Sequence, residues 1–337
     1  MSLHDNQISE VNGRAFEGLS YIDDPFEFDP RDDPLTIDLR SNPGWEVIRT
    51  GTFANLPRLS ELLLYGNEIG DVEASAFEGA GIIDLDLSGQ ALHTLRQNAF
   101  RGMKYLRNIT LARNKITDIG TQAFVGCSSV LYLDLSFNNF DEIKTGAFMG
   151  LNDLMSLTLT SIRLRNLRSS CFEGLYELAR LELESHQLEV IATHTFQGLR
   201  SLKYLSLRDS GIVSIEQEPF SGLNSLETLD LRGNNFTALP RNFAGGLKAL
   251  TDFRLFTYAD GACATCASKE KEGGIVLTEI EDNALAGLQS LTDLDLSGQM
   301  LGEGGVGDGV FSKCHRMKRV SLANSGVRIL TADMFAG

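Results

Sequence analysis

Apolar residues recur along this chain on a fixed beat. Leucines that end a short apolar pair stand at Leu87, Leu111, Leu135, Leu159, Leu183, Leu207, Leu231 and Leu255, each 24 residues after the last. Two residues before each comes Leu85, Ile109, Leu133, Leu157, Leu181, Leu205, Leu229 or Phe253, and three before that another apolar residue, from Ile82 to Leu250. The pattern L-x-x-L-x-L-x-x-N-x-L extends, less regularly, to Ile37/Leu39 and Leu62/Leu64 on one side and to Leu294/Leu296 and Val320/Leu322 on the other. A spacing of two puts both leucines on one face of a strand and the residue between them on the other. A strand so short buries little alone. Stacked on copies of itself it predicts a parallel sheet with a continuous apolar core behind it and an open face in front.

A second signature, close to Ala-Phe-x-Gly-Leu, follows about thirteen residues after each strand. Its phenylalanines are Phe16, Phe53, Phe77, Phe100, Phe124, Phe148, Phe172, Phe196, Phe220, Phe243, Phe311 and Phe335; Ala284-Leu285 alone lacks the ring. They predict a buried aromatic column and account for most of the chain's 19 phenylalanines. Three residues past the strand leucine stand Asn6, Asn42, Asn67, Gln90, Asn114, Asn138, Ile162, His186, Ser210, Asn234, Tyr258, Gln299 and Ser325. A buried amide there satisfies backbone groups where the chain turns away from the sheet. Ile162 has no such group, so its turn relies on water or on its own backbone.

The 24-residue spacing with A-F-x-G-L resembles the "typical" class of leucine-rich repeats, found in Toll-like receptors, Slit-like proteins and other extracellular ectodomains. The resemblance implies an α/β solenoid: a right-handed, curved horseshoe with a parallel concave β-sheet and a convex phenylalanine column. It covers 1–337 as a single domain of about 13 repeats with both ends incomplete. The chain starts inside a repeat, at Leu3-His-Asp-Asn6, and stops at Phe335-Ala-Gly337. With no polar or cysteine-rich cap at either end, a fragment of a longer protein is expected. Two insertions break the beat. The acidic, proline-bearing run 23–34 is expected to leave the solenoid as a loop. Residues 259–275, with Cys263 and Cys266, stretch the step from Leu255 to Leu296 to 41 residues where 24 is normal; long excursions from a regular solenoid are often functional.

Charge narrows the partners. The net charge of −15 lacks the basic stripe of a nucleic-acid binder, so no nucleic acid is expected. No 18-residue apolar run exists, hence no membrane span within this chain, and the first residues lack a signal peptide's basic and apolar regions. Among the five cysteines, Cys127 and Cys314 take the leucine place of F-x-G-L and Cys171 the alanine place, which suits small core residues. Cys263 and Cys266 form one C-x-x-C: a local disulfide, an inert reduced pair, or half a zinc site whose second pair, Cys314 and His315, is distant. No metal site and no cofactor is expected. His4, His93, His186, His194 and His315 pair with no nucleophile, and no P-loop, G-x-S-x-G or H-E-x-x-H occurs; the chain is not expected to be an enzyme. Asn108 and Asn235 head N-glycosylation sequons, the first on the open strand face and the second at a turn.

The open face is richest in the middle repeats. Tyr132, Asp134, Phe137, Arg180, Glu182, Glu184, Tyr204, Arg208, Asp230, Arg232, Arg254 and Phe256 are expected to form a concave ligand-binding patch of exposed aromatics among paired charges. Tyrosine and arginine are the residues enriched at binding hot spots. A solvated strand face explains any one of these residues equally well. The pattern predicts recognition of a protein or glycan by the ectodomain of a cell-surface receptor or adhesion protein. The rivals are an intracellular scaffold of the same fold and the repeat region of a larger enzyme such as a receptor kinase.

Overall fold

The computed structural model describes residues 1–19, 29–31, 33–255 and 275–335. They form two compact units, the first made of Met1–Arg163 and Cys171–Leu178, the second of Leu164–Ser170 and 179–337. Both are solenoids of short parallel strands with almost no helix. The first unit stacks β1 (Leu35–Asp38), β2 (Leu59–Leu63), β3 (Asp84–Asp86), β4 (Asn108–Thr110), β5 (Tyr132–Asp134) and β6 (Ser156–Thr158) in sequence order. The second stacks β7 (Arg180–Glu182), β8 (Tyr204–Ser206), β9 (Thr228–Asp230) and β10 (Asp252–Arg254), and then a separate pair, β11 (Asp293–Asp295) and β12 (Arg319–Ser321).

Within each unit neighbouring strands pair at matching positions, because the repeats present the same pattern, apart from a shift between Leu35 and Thr36 in β1. Asn108 faces Tyr132, which faces Ser156; Arg180 faces Tyr204, which faces Thr228. Leucines at the centre of the strands, such as Leu85 and Leu133, are buried while their neighbours face out. Phe253 holds a leucine place in β10 but is only half-buried, and it tilts against Phe243 at 5.9 Å. On the return side, two-residue strands pair between successive repeats, as Thr94–Leu95 does with Asp118–Ile119. Ala238–Leu239 pairs there with Glu279–Ile280, so stacking passes straight across the 41-residue step.

The aromatic column forms as predicted. In the first unit Phe16, Phe53, Phe77, Phe100 and Phe124 stack nearly parallel, with centroids 5.5, 5.6, 6.4 and 5.6 Å apart. Parallel rings follow from repeats that are translated copies of one another. In the second unit Phe196 and Phe220 stack at 5.8 Å, but Phe243 meets Phe220 edge-on at 87°. Trp45, the one tryptophan of the chain, is fully buried against Phe53 and donates from Nε1 to the Val47 carbonyl at 2.8 Å.

The amide ladder also forms. Asn114 Nδ2 donates to the Leu87 and Leu111 carbonyls at 2.8 and 3.0 Å, and its Oδ1 accepts from Leu92 N at 3.0 Å. Asn42, Asn67, Asn138 and Asn234 repeat the arrangement. Each amide therefore ties its own strand exit to the one before.

Of the acidic insertion, residues 29–31, 33 and 34 are described. Pro30 is buried, and a Cβ placed on Gly81 would meet its Cγ at 2.9 Å. Arg31 and Pro34 close over the strand face beside Glu61 and Asp84. The proline ring shares a hollow with the apolar side chains of Ile83 and Tyr105, which favours its leaving water.

Cys127, Cys171 and Cys314 are buried free thiols, as expected of core residues. Cys127 Sγ donates to the Phe100 carbonyl at 3.0 Å, and burial pushes the Cys127 and Cys171 thiols up to about 12. A thiolate is the reactive form. These three cysteines are accordingly expected to resist iodoacetamide at pH 8 in the folded protein and to be alkylated fully after unfolding. Peptide mass mapping reads this out; rapid native labelling of Cys127 would show that its repeat opens. Cys263 and Cys266, and most of 259–275, lie outside the described residues.

Candidate functional site

The strand face presents two rows of side chains in the first unit, one starting each strand and one ending it. The first row runs Thr36, Glu61, Asp84, Asn108, Tyr132, Ser156, and the second Asp38, Leu63, Asp86, Thr110, Asp134, Thr158. Arg31, Pro34, Glu61, Leu63, Asp84 and Asn108 line an open hollow of about 510 Å³ on this face. Asn108 donates to the Asp84 carboxylate there, so the sequon asparagine is engaged within the face. Asn235 is exposed at its turn.

Asp38 is held by a forked pair. Arg40 Nε and Nη2 donate to its two carboxylate oxygens at 2.9 and 2.8 Å, and the Arg40 backbone N–H adds a third bond. Those bonds lower the Asp38 carboxyl to about 2. An unfolded aspartate titrates near 4, so this pair stabilises the fold fully above that pH and loses its effect as pH falls through 4 toward 2. With Arg40 exposed, the contribution is about 1 kcal/mol or less. Asp38→Asn is expected to lower the urea midpoint at pH 7, and its difference from the parent is expected to shrink progressively as pH falls from 4 toward 2.

Of the predicted patch, Tyr132, Asp134 and Phe137 belong to the first unit. Tyr132 is 51% exposed on β5 as expected, with Asp134 at the other end of that strand. Phe137 is not on the strand face. It lies two residues past Leu135, in the turn, with φ of 57° and the ring 45% exposed. Arg113, which the sequence reading passed over, stacks on that ring at 4.5 Å. Arg113 holds the matching position one repeat earlier, also in the left-handed region, and that position was the signal available.

The second unit brings Arg180, Glu182, Glu184, Tyr204, Arg208, Asp230, Arg232 and Arg254 together on one face. Arg180 lies 3.8 Å above the Tyr204 ring and pairs with Glu182 at 2.5 Å. Tyr204 is thus half-buried under a guanidinium rather than openly exposed. Ser206 is buried and donates to Glu184 at 2.6 Å. Asp230, expected among the exposed charges, is 1% exposed: Arg232 forks onto it at 2.9 and 2.5 Å and Arg254 approaches at 3.7 Å. Its burial is tolerated only because both guanidinium groups neutralise it. Arg254 also pairs with Asp252 at 2.5 Å, and Arg208 with Asp209 at 3.0 Å. These bonds raise the Arg232 and Arg254 guanidinium pKa values above the ordinary one. Phe256 lies outside the described residues. Among the described residues, no three histidine, cysteine or carboxylate side chains are gathered as a metal site would need, and no helix is long and apolar enough to cross a membrane.

Known proteins share these features. A family model described as a BspA type leucine rich repeat region matches 117–248 and 264–337 in six copies, and a second, described as a leucine rich repeat, matches 58–115 and 81–140. No curated protein matches the sequence. Among solved structures, the chain is similar to TLR13 in a TLR13–ssRNA13 complex, at 26% identity and a TM-score of 0.61, over 89% of this chain and 45% of that one. It is also similar to Toll in the glycosylated Toll–Spatzle complex of Drosophila, at 19% identity and a TM-score of 0.63, over 88% and 39%. The chain spans less than half the length of either. The TLR13 structure holds single-stranded RNA, so the fold is compatible with nucleic acid, and the expectation that no nucleic acid binds is not supported.

Proposed function

The chain belongs to the BspA type leucine rich repeat family, and from that premise we propose that it is a recognition module whose strand faces bind a protein or glycan ligand. One observation carries this reading: the second unit holds Arg180, Tyr204, Arg232 and Arg254 in fixed poses on one face, each locked by a stack or a carboxylate. Side chains ordered before binding lose less entropy on contact, and arginine and tyrosine are the residues that anchor interfaces.

The 24-residue beat supports the "typical" repeat class and a single repeat domain. Resemblance to receptor ectodomains supports a place at the cell surface or outside the cell, within a receptor or adhesion protein that transmits a signal. There Asn235 is the sequon free to carry a glycan, and Cys263 and Cys266 are the candidate disulfide. An intracellular scaffold and the repeat region of a larger enzyme remain the rival readings, distinguished by reduced thiols and by a catalytic motif outside this chain. Nucleic acid is a second ligand class, favoured by the RNA held in the TLR13 structure.

The test is an array of purified secreted proteins, glycans and single-stranded RNA probed with the wild-type chain and with Tyr204→Ala/Arg208→Ala. Specific protein or glycan binding that weakens at least about ten-fold in the double variant, at unchanged thermal midpoint, supports the reading. Binding indifferent to the variant moves the site elsewhere. RNA binding alone would replace the ligand class.

A further inference from the structure

The first unit carries a local exception that the fold does not explain. In each described repeat, the second residue past the strand leucine has a left-handed backbone. Glycine, serine, aspartate or asparagine fills that place in all but two, as Ser41, Gly66, Ser161 and Asp209 illustrate. Glycine has no Cβ to clash there, and short polar side chains bond to their own backbone. The exceptions are adjacent, Arg113 at φ 58° and Phe137 at φ 57°. A bulky residue in this region is an outlier, and strain of this kind clusters at binding and switch sites. Phe137 gains no core burial in return, since its ring is 45% exposed.

What surrounds the ring sets the chemistry. Arg113 covers one face of it at 4.5 Å. Lys115 and Arg163 are exposed four residues past the strand leucines of the flanking repeats, on the same turn side. None of these three cations has a carboxylate partner among the described residues. The strand-face arginines Arg40, Arg180, Arg232 and Arg254 are all paired. In a chain of net charge −15, these cations and the exposed Phe137 ring share one turn side, with exposed Asp141 four residues past the ring.

We propose that this rim, built on Arg113 and Phe137 with Lys115 and Arg163 beside them, docks an acidic peptide segment that seats an aromatic or apolar side chain on the Phe137 ring. The proposal rests on the reading of the chain as a recognition module and names a partner chemistry for its first unit. Carboxylates of the segment pair with the rim cations, and its apolar side chain takes the ring face that Arg113 leaves open. A phosphate chain fits less well, because Asp86 and Asp134 on the neighbouring strands repel a long polyanion, whereas a short segment stays on the rim.

The probe is the capped peptide acetyl-Glu-Asp-Phe-Asp-Glu-amide, followed by saturation-transfer NMR against the full chain, with its Phe-to-Ala version and a uridine decanucleotide as controls. Wild type is expected to bind the peptide and to bind the Ala version at least about ten-fold more weakly. Phe137→Gly and Arg113→Ser, the residues other repeats use here, are each expected to lose about ten-fold in affinity. Phe137→Gly is also expected to raise the thermal midpoint by about 2 °C, since it relieves the backbone while removing little packing. A lower midpoint would make the ring structural and overturn the proposal. So would equal binding by the variants, no peptide binding by wild type, or preference for the oligonucleotide. All of these leave the Tyr204 and Arg208 test of the second unit untouched.

Discussion

Phe100→Ala is expected to remove about 3–5 kcal/mol of stability from the first unit. The ring is fully buried between Phe77 at 6.4 Å and Phe124 at 5.6 Å. Each neighbour is fixed by its own repeat's backbone: Ala80 N donates to the Phe77 carbonyl and Cys127 N to the Phe124 carbonyl. The flanking rings therefore cannot slide inward to fill the gap, and the lost transfer free energy is joined by the energy of a lasting cavity. Phe100→Leu fills most of that volume and is expected to cost about half as much. Buried Trp45 lies in the same unit and reports its unfolding by fluorescence. A loss below about 1 kcal/mol in urea titration would mean that the column collapses around the gap and that the leucine side of the core carries the unit.

That column was legible in the sequence because it depends on spacing alone. A residue repeated every 24 positions must stack on itself once the strands stack, and the same holds for the strand pair Leu85 and Ile109 and for Asn114 in the amide ladder. The site was less legible because its geometry depends on side chains meeting across repeats. Asp230 reads as one more exposed aspartate until Arg232 and Arg254, from its own repeat and the next, enclose it. Phe137 was placed on the strand face, yet one residue beyond Ser136 the backbone enters the left-handed turn and the side chain swings to the rim. Pro30 and Arg31 belong to an insertion, and an insertion's length says nothing about where its end packs. Strand, core and turn chemistry repeat with the chain, whereas binding chemistry is by nature what one repeat does differently from the next.

Asn138→Leu is expected to cost about 2–4 kcal/mol although it adds an apolar side chain to an apolar place. The Asn138 amide donates from Nδ2 to the Leu111 carbonyl at 3.0 Å and to the Leu135 carbonyl at 2.8 Å, and its Oδ1 accepts from Ile116 N at 3.0 Å. The side chain is 3% exposed, so water cannot take over these bonds. Leucine would leave a buried N–H without its acceptor, which costs about 1–3 kcal/mol, and would weaken two carbonyls besides. Asn138→Ser is expected to recover part of the loss, because Ser210 fills the same place in another repeat and donates from Oγ to the Leu183 carbonyl at 2.7 Å. The order asparagine, serine, leucine in urea midpoint, followed through Trp45, is the signature of hydrogen bonding, while an effect of volume alone would rank leucine above serine. The chain already holds one apolar residue in this column, Ile162, buried at 2% exposure. If Asn138→Leu proved as stable as the parent, Asn138 would be as replaceable as Ile162 shows its own place to be. The amide ladder would then follow from the stacked turns and would not hold them together.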